Sequence, residues 1–445
     1  MQDSDIASPA QQQRALWLST FAFTVCFAVW TIFSIIGIQV KQDLGLNETA
    51  FGLLIATPIL TGSLTRLFLG IWAEQYGGRR VLTLVMLAAA VATWALTWAH
   101  TYRQFMLAAL FVGLAGGSFS VGVAYVSKWF PPGRQGTALG IFGAGNVGAA
   151  VTKLLAPMVM VAAGWAMVAK VWAVGLAVVA VLFYLLGQDD PSLAQRRRTG
   201  ARPMSFREQM QPLKNIQVWR FSLYYFFVFG GFVSLALWLP HYLTGAYGLD
   251  VRTAGLVAAA YSIPASLFRI VGGWLSDRFG ARVVMYWTFG VSSLCTFLLS
   301  YPDTHYVVRG IDGDIGFDLA IGLVPFTVLV FVLGFFMSLG KAAVYKHIPV
   351  YYPAHVGAVG GVVGMIGGLG GFLLPIAFGA MNDLTGVWTS CFMLLFVVVA
   401  AALAWMHYAI RRMERAHFPQ IGRETDLPEI IDAAVAAQVP VGTRR

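Results

Sequence analysis

The stretch RIVGGWLSDRFGAR (residues 269–282) decides the fold, because its pattern recurs earlier in the chain as RLFLGIWAEQYGGR (residues 66–79). In both copies an arginine, a glycine, an acidic residue, a second glycine and a second arginine follow in the same order. The offset between the copies is constant at 203 residues (269 minus 66). Each copy closes an apolar run and enters a short basic loop. The match indicates two halves with the same internal design, which is the usual plan of secondary transporters.

The composition points to a membrane protein. Hydrophobic residues make up 58% of the 445 residues and charged residues only 11%, which is too little charge to cover a soluble protein of this length. Apolar runs of about 20 residues recur, each long enough to cross a bilayer. We predict an all-α membrane protein with twelve transmembrane helices in two pseudo-symmetric six-helix bundles. The spans are predicted at residues 16–40, 50–73, 81–99, 103–127, 137–161, 166–186, 218–244, 252–275, 283–300, 319–345, 355–380 and 387–410. The acidic segment Asp303–Asp318, between the ninth and tenth spans, is predicted to be an external loop.

One long polar segment separates the two sets of six spans. The predicted organisation is an N-terminal bundle at 14–187, a cytoplasmic linker at 188–217, a C-terminal bundle at 218–410 and a cytoplasmic tail at 411–445. Most basic loop residues share one side if both termini are cytoplasmic, as the positive-inside rule requires. We therefore predict a multi-pass protein of the bacterial cytoplasmic membrane. The net charge of +10 is interpreted as topological charge on lipid headgroups, and no nucleic-acid partner is predicted.

Basic residues fall inside the predicted spans, whereas acidic residues do not. Apart from arginines in the first turn of a span, six are counted: Arg66, Lys153, Lys170, Arg269, Lys341 and Lys346, the last directly after the predicted end of span ten. A cation at the bilayer centre costs roughly 2.5–3.5 kcal/mol even on the lenient insertion scale, so it normally pairs or faces a cavity. Because the spans supply no acid, an anionic substrate is the simplest counter-charge.

The six cations are not equivalent. Arg66 and Arg269 hold the same place in the two repeats, so we predict that they meet near the midplane and clamp a planar oxyanion with their paired donors. The alternative is that helix carbonyls satisfy both arginines. Lys170 and Lys346 lie near span ends, and snorkelling of their side chains to the membrane interface explains both. For Lys153 and Lys341 a role in the substrate path or in coupling and a packing role stay open.

The paired loops resemble the signature of the major facilitator superfamily. The copy ending at Arg282 matches it closely, whereas the other copy has Glu74 followed by Gln75 where the family has an Asp-Arg pair. The resemblance implies that these loops are conformational latches rather than substrate ligands. The latch residues are predicted to be Gly70, Glu74, Arg79, Gly273, Asp277, Arg278 and Arg282.

Two glycine-rich helices carry a closer resemblance. Span five contains Gly140–Gly148 and span eleven contains Gly361–Gly371, and the small residues let helices approach closely and slide. Together these segments resemble the nitrate signatures of the nitrate/nitrite porter family. The resemblance covers nearly the whole chain and implies transport of nitrate, with nitrite as a related substrate.

The resemblance also implies a set of substrate-binding residues. They are Arg66, Arg269, Asn146, Tyr225, Gly116, Phe119 and Phe229. Tyr225 and Phe229 lie at helical i, i+4 spacing, and such an aromatic stripe also occurs in helix cores. The Tyr225 hydroxyl can donate to an oxyanion.

The coupling mode is left open between two alternatives. The segment from Gly340 to Pro349 resembles the subtype regarded as nitrate/proton symporters, and His347 with Lys153, Lys341 and Lys346 are the coupling candidates. His347 is equally a helix-end residue at the surface. The second alternative is nitrate/nitrite exchange, and a nitrate sensor that does not transport is a third function. No enzyme, cofactor or metal site is predicted, because the three cysteines show no metal or redox spacing.

Overall fold

The computed structural model describes residues 8–130, 132–189, 214–352 and 356–417. In this part, eleven helical stretches are long and apolar enough to cross a membrane, and one bent pair of helices supplies a twelfth. The predicted fold of twelve transmembrane helices is thus confirmed. Most of the predicted linker (190–213) and the end of the predicted tail (418–445) lie outside the described residues.

The first half of the chain supplies six spans. Span 1 comprises Pro9–Trp30 and Phe33–Leu44, span 2 is Glu48–Tyr76, and span 3 is Gly78–Ala95 with the 3-10 turn Leu96–Trp98. Span 4 comprises Tyr102–Val112 and Ser118–Ser127 around the 3-10 turn Gly113–Gly117. Span 5 comprises Pro132–Gly143 and Gly148–Ala163 around the 3-10 turn Ala144–Val147, and span 6 is Trp165–Leu186.

The second half repeats this arrangement. Span 7 comprises Ile216–Tyr225 and Phe232–Tyr247 around the π-helical turn Phe226–Gly231. Span 8 is the bent pair Val251–Leu267 and Arg269–Phe279, and span 9 is Ala281–Leu299. An antiparallel hairpin of strands β1 (Thr304–Arg309) and β2 (Asp314–Leu319) follows. Span 10 is Leu323–Tyr351, span 11 Val356–Thr385 and span 12 Ser390–His417.

The structure corrects several predicted limits. Span 1 begins at Pro9 rather than at residue 16, and span 10 runs to Tyr351 rather than to residue 345. Hydropathy marks the segment inside hydrocarbon, whereas a helix continues through polar residues that reach water. Residue 319, predicted to open span 10, instead ends strand β2, and the acidic segment predicted as an open loop forms the hairpin.

The two halves pack along equivalent pairs of spans. Span 2 lies against span 11 so closely that a methyl group at Gly52 would overlap the carbonyl oxygen of Pro375. Span 5 lies against span 8 in the same way, and a methyl group at Gly255 would overlap the carbonyl oxygen of Lys153. Because an even number of spans brings both chain ends to one side, we call that side the terminus face and the other the opposite face.

Candidate substrate-binding site

Arg66 sits in the middle of span 2 and is buried between the halves, with only 2% of its surface exposed. Its Nη1 donates to the carbonyl oxygen of Gly364 in span 11 at 3.0 Å, and its Nε donates to that of Gly116 in span 4 at 3.4 Å. Its Nη2 is buried and has no hydrogen-bond partner. Two helix carbonyls therefore satisfy this cation in part and leave one donor free.

Arg269 follows a bend of 40° in span 8 and is also buried. Within the described part of the chain its guanidinium donates no hydrogen bond, and Nη1 is fully enclosed without a partner. Neither arginine forms an ion pair with a carboxylate in the described ranges. The alternative prediction, that helix carbonyls satisfy both arginines, therefore holds in part for Arg66 and does not hold for Arg269. Two cations without counter-charge form the centre of the site.

Phe119 of span 4 lies between the two guanidiniums. Its ring centre is 5.2 Å from Cζ of Arg66 and 5.7 Å from Cζ of Arg269. Further rings surround the pair, with Phe229 5.0 Å from Cζ of Arg66 and Tyr345 5.5 Å from Cζ of Arg269. The electron-rich faces of these rings stabilise the cations in part, without using their N–H donors.

Two neutral polar side chains add unused hydrogen-bonding groups. The Tyr225 hydroxyl is buried without a partner, and its ring stacks on Phe229 at 5.1 Å. Both polar atoms of the Asn146 side chain are likewise buried and unpartnered. An unsatisfied buried polar group costs about 1–3 kcal/mol. The Tyr225 ring also lies 5.0 Å from that of Tyr345, which joins it to the two arginines. No contact among the described residues joins Asn146 to either arginine.

Irregular helix geometry coincides with the predicted site residues. Gly116 and Asn146 lie on the 3-10 turns of spans 4 and 5, Phe229 lies on the π-helical turn of span 7, and Arg269 follows the bend of span 8. Such breaks redirect side chains and are frequent at functional sites.

The glycine segments also make room for the site. A methyl group at Gly143 would lie 2.9 Å from Nη1 of Arg269, and one at Gly364 would lie 2.8 Å from the hydroxyl oxygen of Tyr345. A methyl group at Gly116 would overlap the Trp30 ring. Helix packing was the first interpretation of these glycines, and the structure adds direct contact with site side chains.

Two aromatic residues that surround the guanidiniums of Arg66 and Arg269 were not predicted from the sequence. Tyr345 contacts Arg269 and donates from its hydroxyl to the carbonyl oxygen of Gly360 at 3.0 Å. Its spacing one helical turn after Lys341 was an available signal. Trp30, whose ring lies 5.3 Å from Cζ of Arg66, sits in a uniformly apolar run that gave no signal.

The coupling candidates fall into two groups. Lys153 and Lys341 are fully buried, so snorkelling explains neither. Lys153 donates to the carbonyl oxygen of Ala149 in its own helix at 3.0 Å, and Lys341 donates to that of Ala265 in span 8. Lys341 also lies 3.7 Å from the Phe232 ring centre.

The other two candidates lie towards the terminus face. Lys346 is 42% exposed and pairs with Asp277, so it has a fixed counter-charge. His347 is buried, with Nδ1 2.9 Å from the carbonyl oxygen of Ala343 in its own helix and its ring beside Phe221.

The predicted latch residues make contacts within each half. Arg79 donates to the carbonyl oxygen of Tyr184 in span 6 and lies over that ring at 4.6 Å. Arg278 lies over the Trp274 ring at 5.5 Å. Gly70 packs near Ser120, whereas Gly273 faces open space. The Glu74 side chain lies outside the described residues. Arg282 also has an interaction partner in the structure.

The opposite face carries polar contacts that join the halves. Glu48, at the start of span 2, accepts from Lys41 and lies 2.7 Å from Nε2 of His241 in span 7. Asp383 of span 11 accepts from the backbone N–H groups of Glu48 at 3.1 Å and Thr49 at 2.8 Å. Sequence reasoning missed this cluster, because its members are far apart in the chain. The contacts hold the two halves together at this face.

A cationic site between two repeated bundles defines a secondary transporter, and comparisons with known proteins agree. The family model of the Major Facilitator Superfamily matches residues 18–304 and 242–438. Among solved structures, a bacterial homologue of the human lysosomal transporter Spinster, inward-facing and occupied, aligns with a TM-score of 0.66 at 15% identity, covering 91% of this chain and 98% of the other. That likeness supports the fold alone.

Curated relatives narrow the class. A probable nitrate/nitrite antiporter, NarK1, of Thermus thermophilus is 44% identical over 415 residues, which are 90% of this chain and 92% of the relative. A nitrite extrusion protein of Bacillus subtilis (strain 168) is 29% identical, covering 90% and 96%. A probable nitrate/nitrite transporter, NarK2, of Mycobacterium tuberculosis (strain ATCC 25618 / H37Rv) is 32% identical, covering 84% and 90%. The chain belongs to the NarK-type nitrate/nitrite porters of the Major Facilitator Superfamily, which confirms the predicted resemblance.

Proposed function

We propose that this chain imports nitrate across the bacterial cytoplasmic membrane by alternating access, coupled to protons. The observation that carries the anion part is the pair of buried guanidiniums around Phe119. Arg66 and Arg269 keep N–H donors that no described group accepts. An anion bound there would supply both the acceptors and the missing negative charge.

Nitrate fits the donors that are available. It is planar and weakly basic, so it accepts from the flat fork of a guanidinium and does not need a proton from the protein. The Tyr225 hydroxyl and the Asn146 amide would add two neutral donors. Several relatives are named for nitrate and nitrite together, so nitrite is a second expected substrate.

The contacts between the halves support alternating access. The Arg66 guanidinium joins span 2 to span 11 at the centre, and Asp383 joins the same spans at the opposite face. Opening that face must break the Asp383 contacts while the centre exchanges its anion. Bound nitrate would reduce the repulsion between the two arginines and so lower the cost of closing around them.

Substitution of the arginines tests the anion site. Arg66→Lys and Arg269→Lys keep a charge but lose the second donor of the fork. A hydrogen bond to a charged group is worth about 1.5–3 kcal/mol, so nitrate affinity should fall about 10- to 150-fold. Calorimetry on purified protein measures this, and Arg252→Lys, at an exposed arginine in the first turn of span 8, is the matched control. Unchanged affinity in both site variants contradicts the proposal.

Import requires coupling, because a membrane potential negative inside opposes anion entry by about 2.3 kcal/mol per 100 mV. We propose nitrate/proton symport, with buried Lys341 and Lys153 as the first groups to test. They are titratable and have no fixed counter-charge in the described part of the chain. Nitrate/nitrite exchange is the second candidate, favoured by the name of the Thermus thermophilus relative.

Liposomes without internal nitrite separate the two modes. Symport predicts nitrate uptake driven by an inward proton gradient. We expect Lys341→Met to lose the response to the gradient and Lys346→Met, at an exposed lysine of the same helix, to retain it. Uptake that needs internal nitrite and ignores the gradient supports exchange instead.

A further inference from the structure

The hairpin between spans 9 and 10 separates its side chains by chemistry. In its register, Thr304 pairs with Leu319, Tyr306 with Phe317 and Val308 with Ile315. These pairs alternate with His305–Asp318, Val307–Gly316 and Arg309–Asp314. Successive side chains of a strand point to opposite sides. One side, the apolar face, therefore carries Tyr306, Val308, Ile315, Phe317 and Leu319. The other side, the polar face, carries His305, Val307, Arg309, Asp314 and Asp318.

Among the described residues outside the hairpin, one ring stacks on the apolar face, that of Tyr301 on Tyr306, and most of the face stays exposed. Its side chains are 36% (Tyr306) to 59% (Ile315) exposed. A two-stranded hairpin is at best marginally stable in water unless its apolar side packs on something. A surface of this kind usually marks a contact with a protein or a membrane.

Short tethers hold the hairpin near the membrane surface. Residues 300–303 join it to the end of span 9, and residues 320–322 join it to the start of span 10. At about 3.5 Å per residue, the strands begin within about 15 Å of the span ends. The ends of spans 9 and 10 lie at the boundary between hydrocarbon and water, so the headgroup layer is within reach.

The orientation of the hairpin favours lipid as the partner. The Tyr301 ring, just after span 9, stacks on Tyr306 with ring centres 6.5 Å apart, so the apolar face turns towards the span end. Phe297, one helical turn before Tyr301 in span 9, and Val324, at the start of span 10, are also exposed. Tyrosine is enriched at membrane interfaces, where one end of its ring is apolar and the other is wet.

We propose that the hairpin lies in the bilayer interface of the opposite face, with its apolar face in lipid and its polar face in water. The partner is the lipid surface itself. The charges of the polar face are mostly acidic, so we expect apolar contact, rather than attraction to anionic headgroups, to hold the hairpin there.

Adjacent valines give a matched test. Val308→Cys and Val307→Cys place nitroxide spin labels on opposite sides of strand β1, in full-length protein at one copy per phosphatidylcholine nanodisc. The native cysteines are buried and set the labelling background. Collision with oxygen, which concentrates in lipid, is compared with collision with a water-soluble nickel chelate. We expect a several-fold higher oxygen-to-nickel ratio at position 308 than at position 307.

Each other outcome overturns the proposal. Equal, water-like ratios at both positions would show that the hairpin stands in solvent. Equal, lipid-like ratios would contradict the separation of its two faces. A label at position 308 that neither reagent reaches would show that protein covers the apolar face. Hydrogen exchange of the hairpin amides in both variants checks that the strands still pair.

Discussion

Asp383 closes the opposite face from the C-terminal half, and replacing it with alanine should open that face. Its carboxylate accepts from the backbone N–H groups of Glu48 and Thr49 and from the Thr49 hydroxyl. Asn47 already accepts from the next N–H group, that of Ala50. The first turn of span 2 is therefore capped partly by its own half and partly by the other half.

The size of the effect follows from these bonds. Losing a capping side chain costs typically about 1 kcal/mol, and an anion at a helix N-terminus adds about 0.3–1 kcal/mol. The Asp383 contacts exist only while the face is closed, so their loss lowers the cost of opening by about 1–2 kcal/mol. The ratio of open to closed molecules should rise about 5- to 30-fold. The Glu48–His241 contact stays intact in the variant and limits the shift.

Distances between spin labels measure the shift. Gln42→Cys and Ala246→Cys place labels at exposed positions on the opposite face, one in each half. Asp250→Ala is the matched control, because Asp250 caps span 8 on the same face but within its own half. We expect Asp383→Ala to increase the population with a long label distance, and the control to leave it unchanged. An unchanged distribution for Asp383→Ala, or an equal shift in the control, refutes the reasoning.

Two further predictions concern the site and a helix cap. Gly143→Ala would place a methyl group 2.9 Å from Nη1 of Arg269, and crowding of this kind costs about 1–3 kcal/mol. Calorimetry should therefore show at least about fivefold weaker nitrate binding. Gly140→Ala, whose methyl group would meet no atom within 4 Å, is the control and should leave nitrate binding unchanged. Hydrogen bonds from Thr253 and from the Arg252 backbone lower the pKa of Asp250. The stability that the Asp250 cap contributes is therefore fully present above the pKa of Asp250 in the unfolded state. It is lost as the pH falls through the lower pKa of the folded state, so protection of the Thr253 amide from hydrogen exchange should disappear only in acid.

The repeat made the centre of the site predictable. Equivalent positions in two halves that pack face to face meet at the axis between them, so the constant offset was enough to bring Arg66 and Arg269 together. The family resemblance also implied Phe119, which contacts both arginines, and Asn146, whose place beside the anion stays a prediction. The position of the Phe119 ring between the guanidiniums could not be predicted, since it depends on the turn at Gly113–Gly117, which is set by packing as well as by sequence.

Contacts between distant segments could not be predicted from the sequence. Glu48, His241 and Asp383 come from three spans, and no local pattern links a residue near the start of the chain with one near its end. The hairpin is different, because the aromatic and β-branched run Tyr306–Val308 and the Asp312-Gly313 pair are signals of a strand and a turn. An interpretation based on charge alone described that segment as a loop.

The two arginines are equivalent in sequence but not in their surroundings, and this difference suggests how the site works. Arg66 is held by carbonyls from both halves, Gly116 on one side and Gly364 on the other. Arg269 follows a bend and donates to no group among the described residues. Under the proposed function, Arg66 would provide a fixed side of the site, and Arg269 would gain most from an arriving anion. An anion that supplied acceptors to Arg269 would stabilise the arrangement in which spans 2, 8 and 11 meet, and substrate occupancy would thereby be linked to closure of the two halves.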